Sequence, residues 1–428
     1  MLRSMFSAIS GLRGHQVMMD VIGNNIANVN TVGYKSGRVN FQDILSQTFR
    51  GATAPNGTLG SINPAQIGLG MTVAGIDVLH TQGNLQSTGK PTDMAIQGDG
   101  FFILANGNQQ YYSRDGSFDS ALDGSLVNPA SGLKVQGWTA DSSGVIDTTV
   151  PVASVSIPIG QLSTAEPTTS AAIRGNLDAG AADGATASTT IAVYDSLGVS
   201  HSIKLTFTKT AGTPNTWAWA AATDPADTGA TTTGAGTITF GAGTDPVTDP
   251  SGRVKTVTGT IPIALTNGAT ATMTFDSTAV APAAATLDLT QMTQFGGPGE
   301  PIGSANGFTS GSLVTFAVGN GGEITGAFSN GQTKILGQIA LASFLNPAGL
   351  MRTGQNMFGG SSASGNPSIG RPGTSSRGSV TTGSLEMSNV DLATQFTGMI
   401  TAERGFQANG RVITTSDEML QELVNLKH

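Results

Sequence analysis

The side chains best suited to catalysis or metal binding are few in this 428-residue chain and poorly spaced for either. Its four histidines, His15, His80, His201 and His428, lie far apart and show no ligand spacing such as H-x-x-x-H. Isolated histidines of this kind read as surface or packing residues. Asp115, Asp119 and Asp123-Gly124 in RDGSFDSALDG resemble a calcium loop at a glance. An EF-hand needs ligands at alternate positions and a closing Glu, whereas these aspartates fall every four residues. The Asp-Gly pair reads instead as a turn.

No phosphate-cradling G-x-x-x-x-G-K-[ST] loop and no G-x-S-x-G elbow occur, and the glycines of GNGGEITG at 319–326 do not fit a dinucleotide fingerprint. With no cysteine, disulfides, thiol catalysis and Cys-based metal sites are excluded. The paired carboxylates of a glycosidase can meet in space without a sequence signature. Aromatic residues are only 6% of the chain, however, so a sugar-stacking cleft is poorly supplied. The expectation is no enzyme, no cofactor and no metal.

Composition points to a polar, turn-rich scaffold. Glycine, at 59 residues, is about twice its usual share, and charged residues are 11% against a typical ~25%. The net charge of −8 and scattered Lys and Arg argue against nucleic acid and anionic membranes. No window of about 18 apolar residues indicates a membrane span. In MLRSMFSAISGLRGHQVMMD, Arg13, His15 and Gln16 fall where a secretory signal needs its apolar core. Export, if it occurs, is expected by a route that cleaves no signal.

Both ends carry a helical period. Leu2, Met5, Ile9, Leu12, Met19 and Ile26 follow alternating three- and four-residue steps, with Gln16 and Gly23 in the missing places. That is the 3.5-residue repeat of helices that wind around one another. At the other end, Ser388-Asn-Val-Asp391 is a capping start. After it, Leu392, Phe396, Met399, Phe406, Ile413, Leu420 and Val424 keep the same stepping, interrupted by Glu403, Gly410, Asp417 and Lys427. Gly405 and Gly410 each weaken a helix by about 1 kcal/mol relative to Ala, so this helix needs a partner. The stretch MDVIGNNIANVNTVGYKSG at 19–37 brings four asparagines into seven residues, and these are expected to end the first helix or cap and cross-link it.

Between the ends the pattern is β. MAIQGDGFFIL, LVTFAV and KILGQIALASF are apolar runs, and Asn330-Gly331 is a hairpin signal. Residues 151–299 are richer in Thr and Ala. There Ile203, Leu205 and Phe207 alternate with polar residues, as half-exposed antiparallel strands do. The fold expected is mainly β with terminal α-helices, nested. Residues 1–30 and 388–428 are paired coiled-coil helices, and 31–89 and 373–387 are connectors. Residues 90–150 and 300–372 form a flanking β domain around an inserted antiparallel β domain at 151–299.

From period alone, the first helix can also be an ordinary core helix. As a membrane-surface helix it is weak, with only Arg3 and Arg13 as cations in thirty residues. Two weak helices at opposite ends favour a third reading, in which the ends order against neighbouring copies in a tube. A monomeric β-rich adhesin and a glycosidase remain readings of other classes.

The residues also carry a resemblance. SGLRGHQVMMDVIGNNIANVNTVGYK at 10–35 and SNVDLATQFTGMITAERGFQANGRVITTSDEMLQELVNLK at 388–427 resemble the N- and C-terminal signatures of the bacterial flagellar rod, hook and hook-associated axial proteins. GNLQSTGKPTDMAIQGDGFFIL at 83–104, SNGQTKILGQIALASFLNPAGL at 329–350 and VYDSLGVSHSIKLTFTK at 193–209 are similar to the hook members of that family, and the inserted block favours hook over distal rod. The absence of Cys departs from those members that form a lysinoalanine cross-link. The resemblance implies a homopolymer outside the cell, built by the terminal helices into a curved tube that transmits motor torque as a universal joint. It implies type III export, with Phe41 and Leu45 of FQDIL as an export-gate element. Its partners would be the distal rod, the hook cap, the hook–filament junction proteins and the export apparatus.

Overall fold

A computed structural model describes the chain outside positions 1, 53, 55–60, 62, 142–143, 158–159, 161, 226, 228–229, 245–250, 266–272, 277–285 and 426–428; the side chains of 2 and 262–286 are likewise outside the description. The side chain of Leu2 and the residues Lys427 and His428 therefore fall there. Two compact units emerge. One contains Met1–Pro158, Phe316–Gly326 and Thr333–His428, and the other Ile159–Thr315 and Ala327–Gln332.

The first unit holds both helices, α1 (Leu2–Ala27) and α2 (Leu392–Asn425). Asp391 starts α2: its carboxylate accepts the Ala393 N–H at 3.0 Å and the Thr394 hydroxyl at 2.5 Å, and these bonds hold it below the usual carboxylate range. The β part is a sheet in which strands 333–339, 134–139, 101–106, 109–113, 357–359 and 351–354 lie side by side in that order. Its core packs Phe101, Ile103, Tyr112, Trp138, Phe344 and Phe358, with Tyr112 edge-on to Phe344 at 4.7 Å.

The 31–89 stretch is more structured than its composition announced. Strand 37–43 pairs antiparallel with 71–78, 46–50 with 65–68, and 85–87 with 384–386. Many of its apolar side chains, such as Phe49 and Ile67, stay exposed.

The second unit is a ten-stranded sheet. Strands 186–194, 200–209, 216–223, 230–240 and 254–265 form an antiparallel meander. Ile203, Leu205 and Phe207 all point into its core, beside Trp217 and Trp219, so the period-2 reading places the buried face correctly. Gly236 is dictated by a close approach, because a Cβ there would lie 1.8 Å from the Thr258 carbonyl and 2.7 Å from the Trp219 ring. The unit is not antiparallel throughout, as expected from sequence. Strand 170–176 runs parallel to 286–288 and 292–293 and antiparallel to 302–305. Sequence alternation identifies the face of a strand but not its direction. Here a long crossover returns the chain alongside its first strand in the same sense.

Candidate assembly surface and its anchor

The two helices pack antiparallel through small and polar residues. Asn25 Nδ2 donates to Gln395 Oε1 at 3.0 Å, Gly398 faces Ile22 and Met18, Gly405 faces the His15 ring, and Gly11 faces the Asn409 side chain. Ala8, Gly11, Ile22 and Asn25 of α1 and Ala402 of α2 are buried in consequence. Glycines that looked like defects in a helix are what let the backbones approach. A Cβ on Gly405 would lie 2.5 Å from His15 Nε2. Gly405→Leu is therefore expected to destabilise the helix pair by about 1–3 kcal/mol through overpacking, read from the melting of the helical dichroism signal. Helix propensity alone predicts the opposite sign.

The apolar seam read from sequence lies elsewhere on the helix. Leu392, Phe396, Phe406 and Val424 are exposed, Phe396 at 52%, while Met399, Ile413 and Leu420 are half-buried. On α1, Met5, Ile9, Leu12, Met19 and Ile26 are half-buried and Phe6 is exposed. Ile400, Val412, Met419 and Leu423 of α2 are exposed as well. The pairing register carries the last turns of α2, from about Met419, past the start of α1. So many large apolar side chains left uncovered on one helix mark an interaction surface.

The asparagines anchor this pair to the β part of the unit. Asn25, buried at the end of α1, accepts from the Tyr34 hydroxyl at 3.2 Å and the Gly37 N–H at 2.9 Å and donates to the Gly37 carbonyl at 2.8 Å. Asn28 donates to the Asn24 carbonyl at 2.9 Å and closes the helix end. Ahead of α2, Asn389 accepts the Ser36 N–H at 2.8 Å and donates to the carbonyls of Leu79 at 2.8 Å and Thr81 at 3.2 Å. One helix thus ends on segment 34–37, and the other begins on that same segment and on 79–81.

Beneath them sits a buried charge cluster that sequence reading missed. The Glu386 carboxylate, fully buried, takes Lys35 Nζ at 2.6 Å, the Gly83 N–H at 2.8 Å and Arg114 Nη1 at 3.2 Å. Lys35 also donates to the Thr81 carbonyl at 2.7 Å, and burial holds it below the usual lysine range against the pull of Glu386. Arg114 lies over the Phe101 ring, and Arg352 lies over Tyr34 while donating to the Lys35 carbonyl. The partners are hundreds of residues apart, so spacing carried no signal.

Other expected residues find separate places. Phe41 lies in strand 37–43 opposite Val73, its ring 6.3 Å from that of His15, and Leu45 is exposed beyond the strand. Asp115 and Asp123 each accept from the residue two ahead, Ser117 and Ser125, as turn residues do. His201, read as an isolated packing residue, is buried between Asp227 at 2.9 Å and Asp195 at 3.3 Å. Among the described residues no His, Asp or Glu group is arranged to hold a metal, and no helix is long and apolar enough to cross a membrane.

Known proteins match along the whole chain. Family models match at residues 5–35 (flagella basal body rod protein), 95–164 (flagellar hook protein FlgE/F/G D1 domain), 161–308 (flagellar basal body protein FlaE D2 domain) and 381–426 (flagellar basal body rod FlgEFG protein C-terminal). The flagellar hook protein FlgE of Treponema pallidum is 40% identical, with all of both chains covered. The flagellar basal-body rod protein FlgG of Bacillus subtilis is 29% identical, also over all of both chains. The degree of identity favours the hook relatives. The crystal structure of Helicobacter pylori flagellar hook protein FlgE2 shares the fold, with a TM-score of 0.51 at 14% identity, covering 69% of this chain and 98% of that one.

Proposed function

We propose a mechanical role from one premise: this chain belongs to the flagellar hook protein family and is a structural subunit of the bacterial flagellar hook, outside the cell, and not an enzyme. The observation that carries the role is the exposed apolar stripe of α2 beside a helix pair closed by small residues. A monomer leaves that stripe in water, whereas a tube of identical subunits covers it. The contact is heterologous, one face of a copy against a different face of the next, and such contacts propagate into open helical polymers.

In this reading the terminal helices wind together as coiled coils lining the tube, with Leu2, Met5, Ile9, Leu12, Met19, Ile26, Leu392, Phe396, Met399, Phe406, Ile413, Leu420 and Val424 in their seams. The domains nest: the flanking β domain forms the shell, and the inserted domain carries the outer contacts. Its small side chains and loops give shallow contacts that exchange as a curved tube rotates, the requirement of a universal joint. Subunits leave the cell unfolded through the flagellar type III apparatus, with Phe41 and Leu45 as the gate element, and assemble between the distal rod and the junction proteins beneath a cap.

The cysteine-free sequence makes the joint directly testable, because introduced cysteines have no competitors. Disulfides that lock residues of the inserted domain between neighbouring subunits are expected to straighten or stiffen the tube in electron micrographs. Unchanged curvature in fully locked tubes would count against the exchanging contacts.

A further inference from the structure

We propose that His80 is an acid-released latch: while neutral it closes the buried node that ties both terminal helices to the β part of their unit, and its protonation opens that node. His80 stands edge-on to Phe101 at 5.5 Å and to Phe358 at 5.4 Å, and neither of its buried ring nitrogens has a well-formed hydrogen bond. The charged groups that act on it are cations from three different segments, Lys35, Arg114 and Arg352. The one carboxylate of the node, Glu386, is already taken by Lys35, Arg114 and the Gly83 N–H. An imidazolium here would be a further buried cation with aromatic walls and no free carboxylate.

Its place in the chain turns that local cost into a release. The carbonyls on either side of it, of Leu79 and Thr81, hold Asn389 ahead of α2, and Thr81 also holds Lys35. The Leu79 N–H donates to the Ser36 carbonyl at 2.9 Å, which fixes the segment leaving α1. Moving residue 80 therefore loosens both connectors at once. Burial, with the three cations adding to it, lowers the His80 pKa from 6.5 to about 4, and only the Pro347 backbone favours the proton.

The sign follows by linkage. The closed node keeps His80 neutral, while an opened node takes up its proton near the ordinary value. Closure is strongest above pH 6.5 and weakens as the pH falls toward 4, tenfold per unit, or about 300-fold in all.

Two measurements on the full chain at monomeric concentration test this. Hydrogen exchange, corrected for intrinsic rates, should show protection of segments 31–37, 79–84 and 383–390 falling by about that factor between pH 7 and 4. In His80→Gln most of that fall should vanish. Imidazole NMR of the unsubstituted chain should show His80 neutral down to the low end of this range. Titration of His80 near 6.5 in the folded chain, or an equal pH dependence in His80→Gln, would overturn the latch. Should His80→Gln fail to fold, the NMR titration alone decides.

Discussion

A chain carrying Phe396→Asp and Phe406→Asp is expected to fold as a monomer and to form no tubes under conditions where the unsubstituted chain does. Both rings are exposed in the single chain, Phe396 at 52% and Phe406 at 40%, so neither holds the helix pair together. Exposed substitutions of this kind change monomer stability by about 0.5 kcal/mol or less, which the melting curve reads. In the tube proposed above the same positions would be covered. Losing two buried aromatics removes about 4 kcal/mol per subunit, roughly a thousandfold in the concentration needed for assembly. Two carboxylates driven into an apolar seam add several kcal/mol more against assembly. Sedimentation across a concentration series would measure the shift. Tubes at an unchanged critical concentration would remove the stripe from the interface.

The second large effect lies at the anchor. Glu386→Ala leaves Lys35 and Arg114 buried without their carboxylate, and breaking a buried pair this way costs about 3–5 kcal/mol. The loss should be confined to the unit that contains the helices. Exchange of amides at 31–37, 79–84 and 383–390 is expected to speed up by at least about 100-fold, while strand 200–209 of the other unit keeps its rates. Adding Lys35→Met to that variant should recover part of the loss, because an apolar side chain tolerates the site better than an unpaired ammonium. A double variant no better than Glu386→Ala would mean that Lys35 contributes through its other bond, to the Thr81 carbonyl.

These two regions show what a sequence can and cannot disclose. The helices were legible because their repeat is local: six positions of α1 and seven of α2 keep the 3–4 step, and Asp391 announces its cap. Which face pairs was not. Apolar residues are normally assigned to the inside of a chain, but in a subunit meant for a polymer the widest apolar face stays uncovered. The pairing falls instead to Gly11, Gly398, Ala402 and Gly405, whose smallness carries little signal. The asparagines were legible as a helix end with local cross-links, and Asn25 and Asn28 serve so.

Glu386, Lys35 and Arg114 gave no warning at all, since nothing local marks a charge that will be buried by strands from elsewhere. In the second unit the period-2 pattern revealed the inner face of strand 200–209. It did not reveal the parallel neighbours of strand 170–176, because register and direction depend on contacts more than a hundred residues away in sequence. His201 is a packing residue, as its isolation suggested, but its two carboxylate partners, Asp195 and Asp227, lie 6 and 26 positions away within no motif.

The claim on which the rest depends is that the terminal helices are the polymerising element. Negative-stain electron microscopy of concentrated full-length chain beside a 31–387 truncation tests it most directly. The account predicts tubes from the full-length chain and none from the truncation, whose β strands should still be folded by circular dichroism. Tubes from the truncation as well would show that the β part polymerises without the ends, and would contradict the account.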